Sequence, residues 1–199
     1  MLDKPAGLPV HAGPRGGPSV EDWFPQLSRR SDGPWLAHRL DADTAGCLAV
    51  ALRKATLLKL QTAFAEGRVA KVYWAVVRGR PAESAGAIDM PLVKRSTAAG
   101  WRMWPDPGGP KAVTDWRVLG MSDDATWLEL RPRTGRTHQV RAHCAVLGTP
   151  VLGDPVYGDG EGRLHLLARK ITLPLDPVVA VEAPPPPHMI AALTQCGWR

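Results

Sequence analysis

The sequence predicts an α+β fold built on a mostly antiparallel sheet, and three observations carry that expectation. Glycine and proline each occur 20 times in 199 residues, more than suits a helical bundle and in keeping with a sheet broken by many turns. Strand-length runs follow one another with few helical repeats between them, the pattern of an antiparallel sheet with helices set against it. Hydrophobic residues make up 44% and charged residues 22%, a globular balance, and the length suits one domain with a sizeable core.

The elements follow in chain order. Pro5 to Pro18 is rich in glycine and proline and reads as an extended, turn-broken lead-in. Pro34 to Arg39 leads into Leu40–Asp41, and Gly46 to Leu52 is an apolar run of strand length. Lys54 to Glu66 places Leu57, Leu60 and Phe64 at i, i+3 and i+7, one helical face, with Gly67 where a C-terminal cap belongs. Val69 to Val77 alternates as a strand, with Val72, Trp74 and Val76 on one face and Lys71, Tyr73 and Ala75 on the other. Residues 80–112 hold many Pro, Gly and Ala residues and read as loops between short strands. Val113 to Leu119 and Trp127 to Arg131 are two more strands, joined by a polar turn around Ser122–Asp124. His138 to Leu147 reads as a helix with Thr137 as its cap and Gly148 just past its end. Pro184 to Pro187 is a stiff polyproline stretch, and the last dozen residues form a short helix. No internal repeat is present.

Charge and cysteine usage narrow the class. Twenty-five basic against 19 acidic residues leave a net charge of +6, which suits a polyanionic partner, most often nucleic acid. The cysteines Cys47, Cys144 and Cys196 are far apart and odd in number, so neither a disulfide framework nor a CxxC metal knuckle can be built from them. A reducing cytoplasm is the simplest setting, with Cys47 and Cys144 as buried, inert thiols. No apolar run approaches the roughly 20 residues of a membrane-spanning helix, and the first residues lack the basic start and apolar stretch of a secretory signal. Eight tryptophans accompany only two tyrosines and two phenylalanines; tryptophan suits core packing, and one or two exposed copies suit base stacking.

Three segments hold the chemistry. His38-Arg39-Leu40-Asp41-Ala42-Asp43-Thr44-Ala45-Gly46 puts two carboxylates and a guanidinium in a tight connection before an apolar strand. A polar Asp turn reads the same way, but Arg39 lies two residues before Asp41, and extended backbone points both to one side. A carboxylate beside cations stays ionised and can act as a nucleophile. Arg131 to His143 holds four arginines and two histidines in thirteen residues, with Gly135 permitting a tight turn before a helix start that attracts anions. A solvated basic loop is the plainer reading. Zinc fails here: His138 and His143 are five apart, and no HExxH pattern exists. Lys71-Val-Tyr73-Trp74-Ala75 sets one of only two tyrosines on the strand face of Lys71. Gly153-Asp154-Pro155-Val156-Tyr157-Gly158 reads as a turn that orders the backbone.

In order and spacing, these pieces resemble the RluA-like family of RNA pseudouridine synthases. The resemblance begins at Asp3-Lys4-Pro5-Ala6-Gly7-Leu8 with Val10-His11 and continues through His38-Arg39-Leu40-Asp41 with Thr44 and Gly46. It runs on through Lys71-x-Tyr73-x-Ala75-x-Val77-x-Gly79 and Thr134-Gly135-Arg136-x-His138-Gln139-Val140-Arg141-x-His143, then Gly148-x-Pro150 and Gly153-Asp154-x-x-Tyr157-Gly158. The chain departs from the family at Ala45-Gly46-Cys47, where Ser-Gly-Leu is usual, and at Leu167-Ala168, where a His-Ala pair is common.

The resemblance implies the family's fold, a long, mixed but mainly antiparallel sheet flanked by helices with a basic central cleft. It also implies one catalytic domain over residues 1–199 without a separate N-terminal RNA-binding domain. The implied reaction isomerises uridine in structured ribosomal or transfer RNA: the bond from ribose to the base nitrogen breaks, the bound uracil turns, and it rejoins through carbon. Asp41 is then the essential carboxylate, attacking the sugar or removing a ribose proton. Arg136 pairs with it, and Tyr73 packs on the uracil and helps remove the proton from its carbon 5. Arg39 enters the RNA stack when the uridine is flipped out. Lys71, His138, Gln139 and Arg141 are further RNA contacts. Neither cofactor nor metal is implied, and a cytoplasmic monomer is the expectation. Two rivals remain open at this point: an RNA-binding protein that kept the fold and lost turnover, and a metal-dependent phosphoesterase using Asp41, Asp43 and the histidines.

Overall fold

The computed structural model describes residues 1–13, 16–97 and 100–199. Pro14 and Arg15, in the predicted lead-in, and Ala98 and Ala99, in the predicted loops, lie outside the described residues. The chain folds as an α+β protein on a mixed, mainly antiparallel eight-stranded sheet. Two compact units divide it: residues 1–71 with 168–184, and residues 72–167 with 185–199.

In the first unit, β1 (Leu2–Lys4) runs antiparallel to β3 (Ala45–Leu48), with Lys4 opposite Gly46. Two-residue β2 (Trp35–Leu36) pairs with β4 (Val50–Ala51). The predicted apolar strand over 46–52 is thus two strands with different partners. The break falls at Ala49, whose N–H donates to the His38 ring and whose carbonyl accepts from the Ala37 N–H. A 3-10 turn at Val20–Trp23 runs into α1 (Phe24–Leu27). Helix α2 (Lys54–Ala65) matches its 3.6-residue pattern: Leu57, Leu60 and Ala63 are buried. Gly67 follows with φ 69°, the left-handed conformation that ends a helix without a Cβ penalty. Most of β11 (Leu166–Leu173) and all of β12 (Val179–Glu182), an antiparallel pair, complete this unit; neither was expected from the sequence. Cys47 lies buried there, its thiol donating to the carbonyls of Arg169 and Val181.

The second unit holds most of β5 (Ala70–Arg78), then β6 (Ala85–Asp89), β9 (Val113–Met121) and β10 (Ala125–Pro132), in the order β5-β10-β9-β6. All three pairings are antiparallel, with a bulge between Trp127 and Leu128. A separate hairpin joins β7 (Leu92–Thr97) to β8 (Gly100–Pro105), within the region read from sequence as loops between short strands. Alternation along β5 is as predicted. Ala75 and Val77 face a core with Leu128, Leu130 and residues of α3 (Gln139–Val146), whereas Trp74 on the other face meets Trp127 edge-on at 4.7 Å. Pro186 precedes α4 (Pro187–Gln195), whose Met189 and Leu193 are buried. The residues after α4 pack so closely on β9 that a side chain at Gly120 would overlap the Cys196 carbonyl oxygen. Among the described residues, no helix is long and apolar enough to cross a membrane.

Candidate functional site

Asp41 heads a four-residue turn, closed by the Thr44 N–H donating to the Asp41 carbonyl at 3.1 Å. The approach to it is pinned from one side. His38 accepts from the Ala49 N–H through Nε2 at 2.9 Å and stacks on Phe64 of α2 at 4.9 Å. An Nε2 that accepts carries no proton, so the ring is neutral. Burial, reinforced by the positive charge of Lys71, pulls the His38 pKa down to about 4. Leu40 is buried, Asp41 half-buried and Arg39 exposed.

The turn is braced from within by Lys4. The residue is 1% exposed, and its ammonium donates to three carbonyls: Ala42 at 2.7 Å, Leu8 at 2.8 Å and Pro5 at 2.9 Å. The Ala42 carbonyl accepts a second bond from the Gly7 N–H at 2.9 Å. All three ammonium protons are used, which is what a buried cation requires. Burial lowers the Lys4 pKa to about 8, against the opposing pull of Asp43 and Asp41. Lys71, half-buried on β5, is also pushed down by burial. Asp41, Arg39 and Lys71 all belong to the first unit.

Arg136 stands in the second unit, on the connection from β10 to α3. Gln139 builds that connection. Its Oε1 accepts from the Arg136 N–H at 3.0 Å and the Thr134 hydroxyl at 2.7 Å. Its Nε2 donates to the Val113 carbonyl and the Thr114 hydroxyl, both at 3.0 Å. The amide's four bonds are all made inside the protein. Arg136 Nε donates to the Lys111 carbonyl at 3.0 Å, and the residue itself is exposed.

His138, not Thr137, is the N-cap of α3, and no side chain caps the helix. His138 has φ 49°, the one positive φ among the described non-glycine residues, a conformation that costs energy unless its surroundings hold it. Trp101 of β8 stacks on its ring at 4.7 Å, and Nδ1 lies 3.3 Å from the Tyr157 hydroxyl. That hydroxyl also accepts from the Met103 N–H at 2.9 Å. Tyr73 lies half-buried on β5 opposite Leu130, at the margin of the core.

Two of the expected RNA contacts lie inside the fold. Gln139 and Arg141 are each 3% exposed. Gln139 spends its amide on the Arg136 connection, and Arg141 forms a two-pronged ion pair with buried Asp154, Nε to Oδ2 at 2.8 Å and Nη2 to Oδ1 at 2.7 Å. Both residues order the loop. Burial pushes the Asp154 carboxyl up, but the Arg141 guanidinium and the N–H groups of Val156 and Tyr157 hold it below the usual carboxylate range. This is the ordering role expected of the Gly153–Gly158 turn. His143 is likewise interior: its Nε2 donates to the Met90 carbonyl at 3.1 Å and its Nδ1 accepts from the Thr114 hydroxyl at 2.8 Å. Among the described residues, no three His, Cys, Asp or Glu side chains gather as metal ligands.

Sequence reasoning passed over Lys4, His38 and Asp154 as functional supports. Nothing in hydropathy marks Lys4, since lysine is almost never fully buried; its three acceptors become visible only when residues 5, 8 and 42 converge.

A family model described as RNA pseudouridylate synthase matches residues 1–146. The chain is 42% identical over 154 residues to an uncharacterized RNA pseudouridine synthase of Zymomonas mobilis, a match covering 76% of this chain and 70% of that one. It is 32% identical over 208 residues to ribosomal large subunit pseudouridine synthase C of Vibrio cholerae, covering 98% of this chain and 65% of that one. Other curated relatives are spanned over about half their length, such as 49% of an RNA pseudouridine synthase from Synechocystis. Among solved structures, human RNA pseudouridylate synthase domain containing 4 superposes with a TM-score of 0.81 at 28% identity, covering 98% of this chain and 88% of that one.

Proposed function

The chain belongs to the RNA pseudouridylate synthase family, and from that premise we propose that it converts uridine to pseudouridine in structured ribosomal or transfer RNA, with Asp41 as the essential carboxylate. The observation that carries the reading is the extent of the family match, which takes in Asp41, Tyr73 and Arg136 alike.

Each residue then has a role suited to its chemistry. The Asp41 carboxylate acts at the ribose, either on the anomeric carbon or on a ribose proton. Its turn is fixed by Lys4, so little reorganisation accompanies the reaction. Arg136 pairs with the carboxylate and orients it; its backbone is tied by Gln139. Tyr73 packs on the uracil and assists removal of the proton from carbon 5 once the base has rejoined through carbon. Arg39, exposed one residue past His38, fills the gap left when the uridine leaves the stack, offsetting part of a cost of a few kcal/mol. Lys71 and His138 add contacts to the RNA. The reaction is an isomerisation that consumes nothing, so it calls for no cofactor. The setting is cytoplasmic and the acting form a monomer.

Tritium release from uracil-labelled cellular RNA tests this. Asp41→Asn should abolish release, and Arg136→Leu should lower it by at least 100-fold, of the order expected when a charged partner of a catalytic group is lost. Release by Asp41→Asn at the parent rate overturns the assignment.

A further inference from the structure

The β7–β8 hairpin has features that the proposed reaction does not use. Between Leu92 and Pro105 the sequence carries three cations, Lys94, Arg95 and Arg102, two tryptophans and no carboxylate. Lys94 pairs opposite Met103 and Ser96 opposite Trp101, so strand alternation puts Lys94, Met103 and Trp101 on one face. At its inner end this face is core: Leu92 and Met103 are buried with Ala142 of α3, and Tyr157 packs against them. At its outer end it is open. Lys94 is exposed and Trp101 is 40% exposed, whereas Trp116 of β9 and Trp127 of β10 are 6% and 9% exposed.

The outer end is also ordered. The Trp101 ring is held at 27° to the His138 ring, and Lys94 Nζ sits 4.3 Å from its centre. An indole fixed in orientation, 40% exposed and with an ammonium over its ring, suits unpaired nucleic acid, where a base stacks on the open part of the aromatic surface and the adjoining phosphate meets the cation. The absence of any acid on the hairpin favours a polyanion over a peptide of mixed charge.

We propose that the Lys94–Trp101 face of this hairpin binds an unpaired nucleotide of the RNA substrate, the indole taking the base and the ammonium the adjoining phosphate. This rests on the reading of the chain as an RNA-modifying enzyme. It adds to that reading a preference for single-stranded segments.

The experiment uses the full chain and its variants Trp101→Ala, Trp101→Phe and Lys94→Gln. Affinity is measured for a fluorescent stem–loop RNA with an unpaired uridine-containing loop and for the fully paired duplex of the same stem. Pseudouridine formation is measured in parallel on bulk transfer and ribosomal RNA. Trp101→Ala should weaken stem–loop binding about tenfold, and Trp101→Phe should recover most of it. Lys94→Gln should flatten the dependence of log K on log salt by about 0.7, the share of one phosphate on a single strand. Duplex affinity should not change. Parent-like stem–loop affinity in all three variants, with pseudouridine still formed by the parent chain, overturns the hairpin assignment and leaves the enzyme reading intact. A fall in turnover without a fall in affinity also overturns it, making Trp101 a prop for His138 only. Trp101-dependent loop binding by a parent chain that forms no pseudouridine keeps the hairpin assignment and overturns the enzyme reading.

Discussion

His38 accepts a backbone hydrogen bond and stacks on Phe64, and only a neutral ring can do the first. Its pKa is about 4 in the folded chain and about 6.5 in an unfolded one. Between those values the unfolded state binds more protons, so stability rises with pH across this window. The contribution is fully present above pH 6.5 and is lost as pH falls toward 4, up to about 3 kcal/mol for a gap of this size. Urea unfolding at pH 7 and pH 4.5 should therefore show His38→Gln losing about 2–3 kcal/mol less than the parent chain on acidification. An unchanged difference would mean that the ring is not held neutral. Asp41, Tyr73 and Arg136 stood out in the sequence because their spacing against Gly, Thr and Arg neighbours is distinctive. Lys4 did not, because its role depends on three carbonyls that the chain gathers only on folding.

Helix α3 shows how an element is set by contacts its own residues do not announce. Thr137 is a reasonable N-cap by type, yet the helix starts one residue later from a left-handed His138. Gln139 ties the preceding loop, and Arg141 ties the helix to the Asp154 turn. From sequence, Gln139 and Arg141 look like polar surface. Their burial follows from pairing across the fold, with Asp154 thirteen residues on from Arg141. Breaking such a pair strands a buried charge. Asp154→Asn should cost about 3–5 kcal/mol in unfolding free energy, measured by denaturant titration, and a loss under 1 kcal/mol would refute the pair's structural weight. Helix α2 and strand β5 were legible because their apolar periodicity is local. The division of β3 from β4 was not, since it is made by His38, eleven residues away from Ala49.

For the molecule as a whole, the net charge of +6 was the first indication of a polyanionic partner. Several arginines are engaged with carboxylates, Arg117 and Arg131 with Glu129, Arg133 with Asp115, and Arg95 with Asp106, so net charge overstates the cations available to RNA. The more exposed of these, such as Arg133 with Asp115, hold weakly and can exchange for phosphate. Filter-binding of stem–loop RNA across a salt series should give log K falling against log salt with a slope of about −2 or steeper, three or more phosphates engaged. A flat line would remove electrostatics as the source of affinity. The α+β class and antiparallel pairing were readable from turn density and alternation. The extent of the sheet was not, because the family's usual motif is altered at Leu167, within β11 itself.

The fit at Gly120 ties the middle of the second unit's sequence to its last residues. The hydrogen that stands there in place of a methyl leaves room for a backbone oxygen from residue 196. Position 120 and the final turn therefore form a lock and its key, cut to one another across seventy-odd positions. A chain that lost the key would be free to take alanine at 120, and a chain that took alanine would have to let the key go.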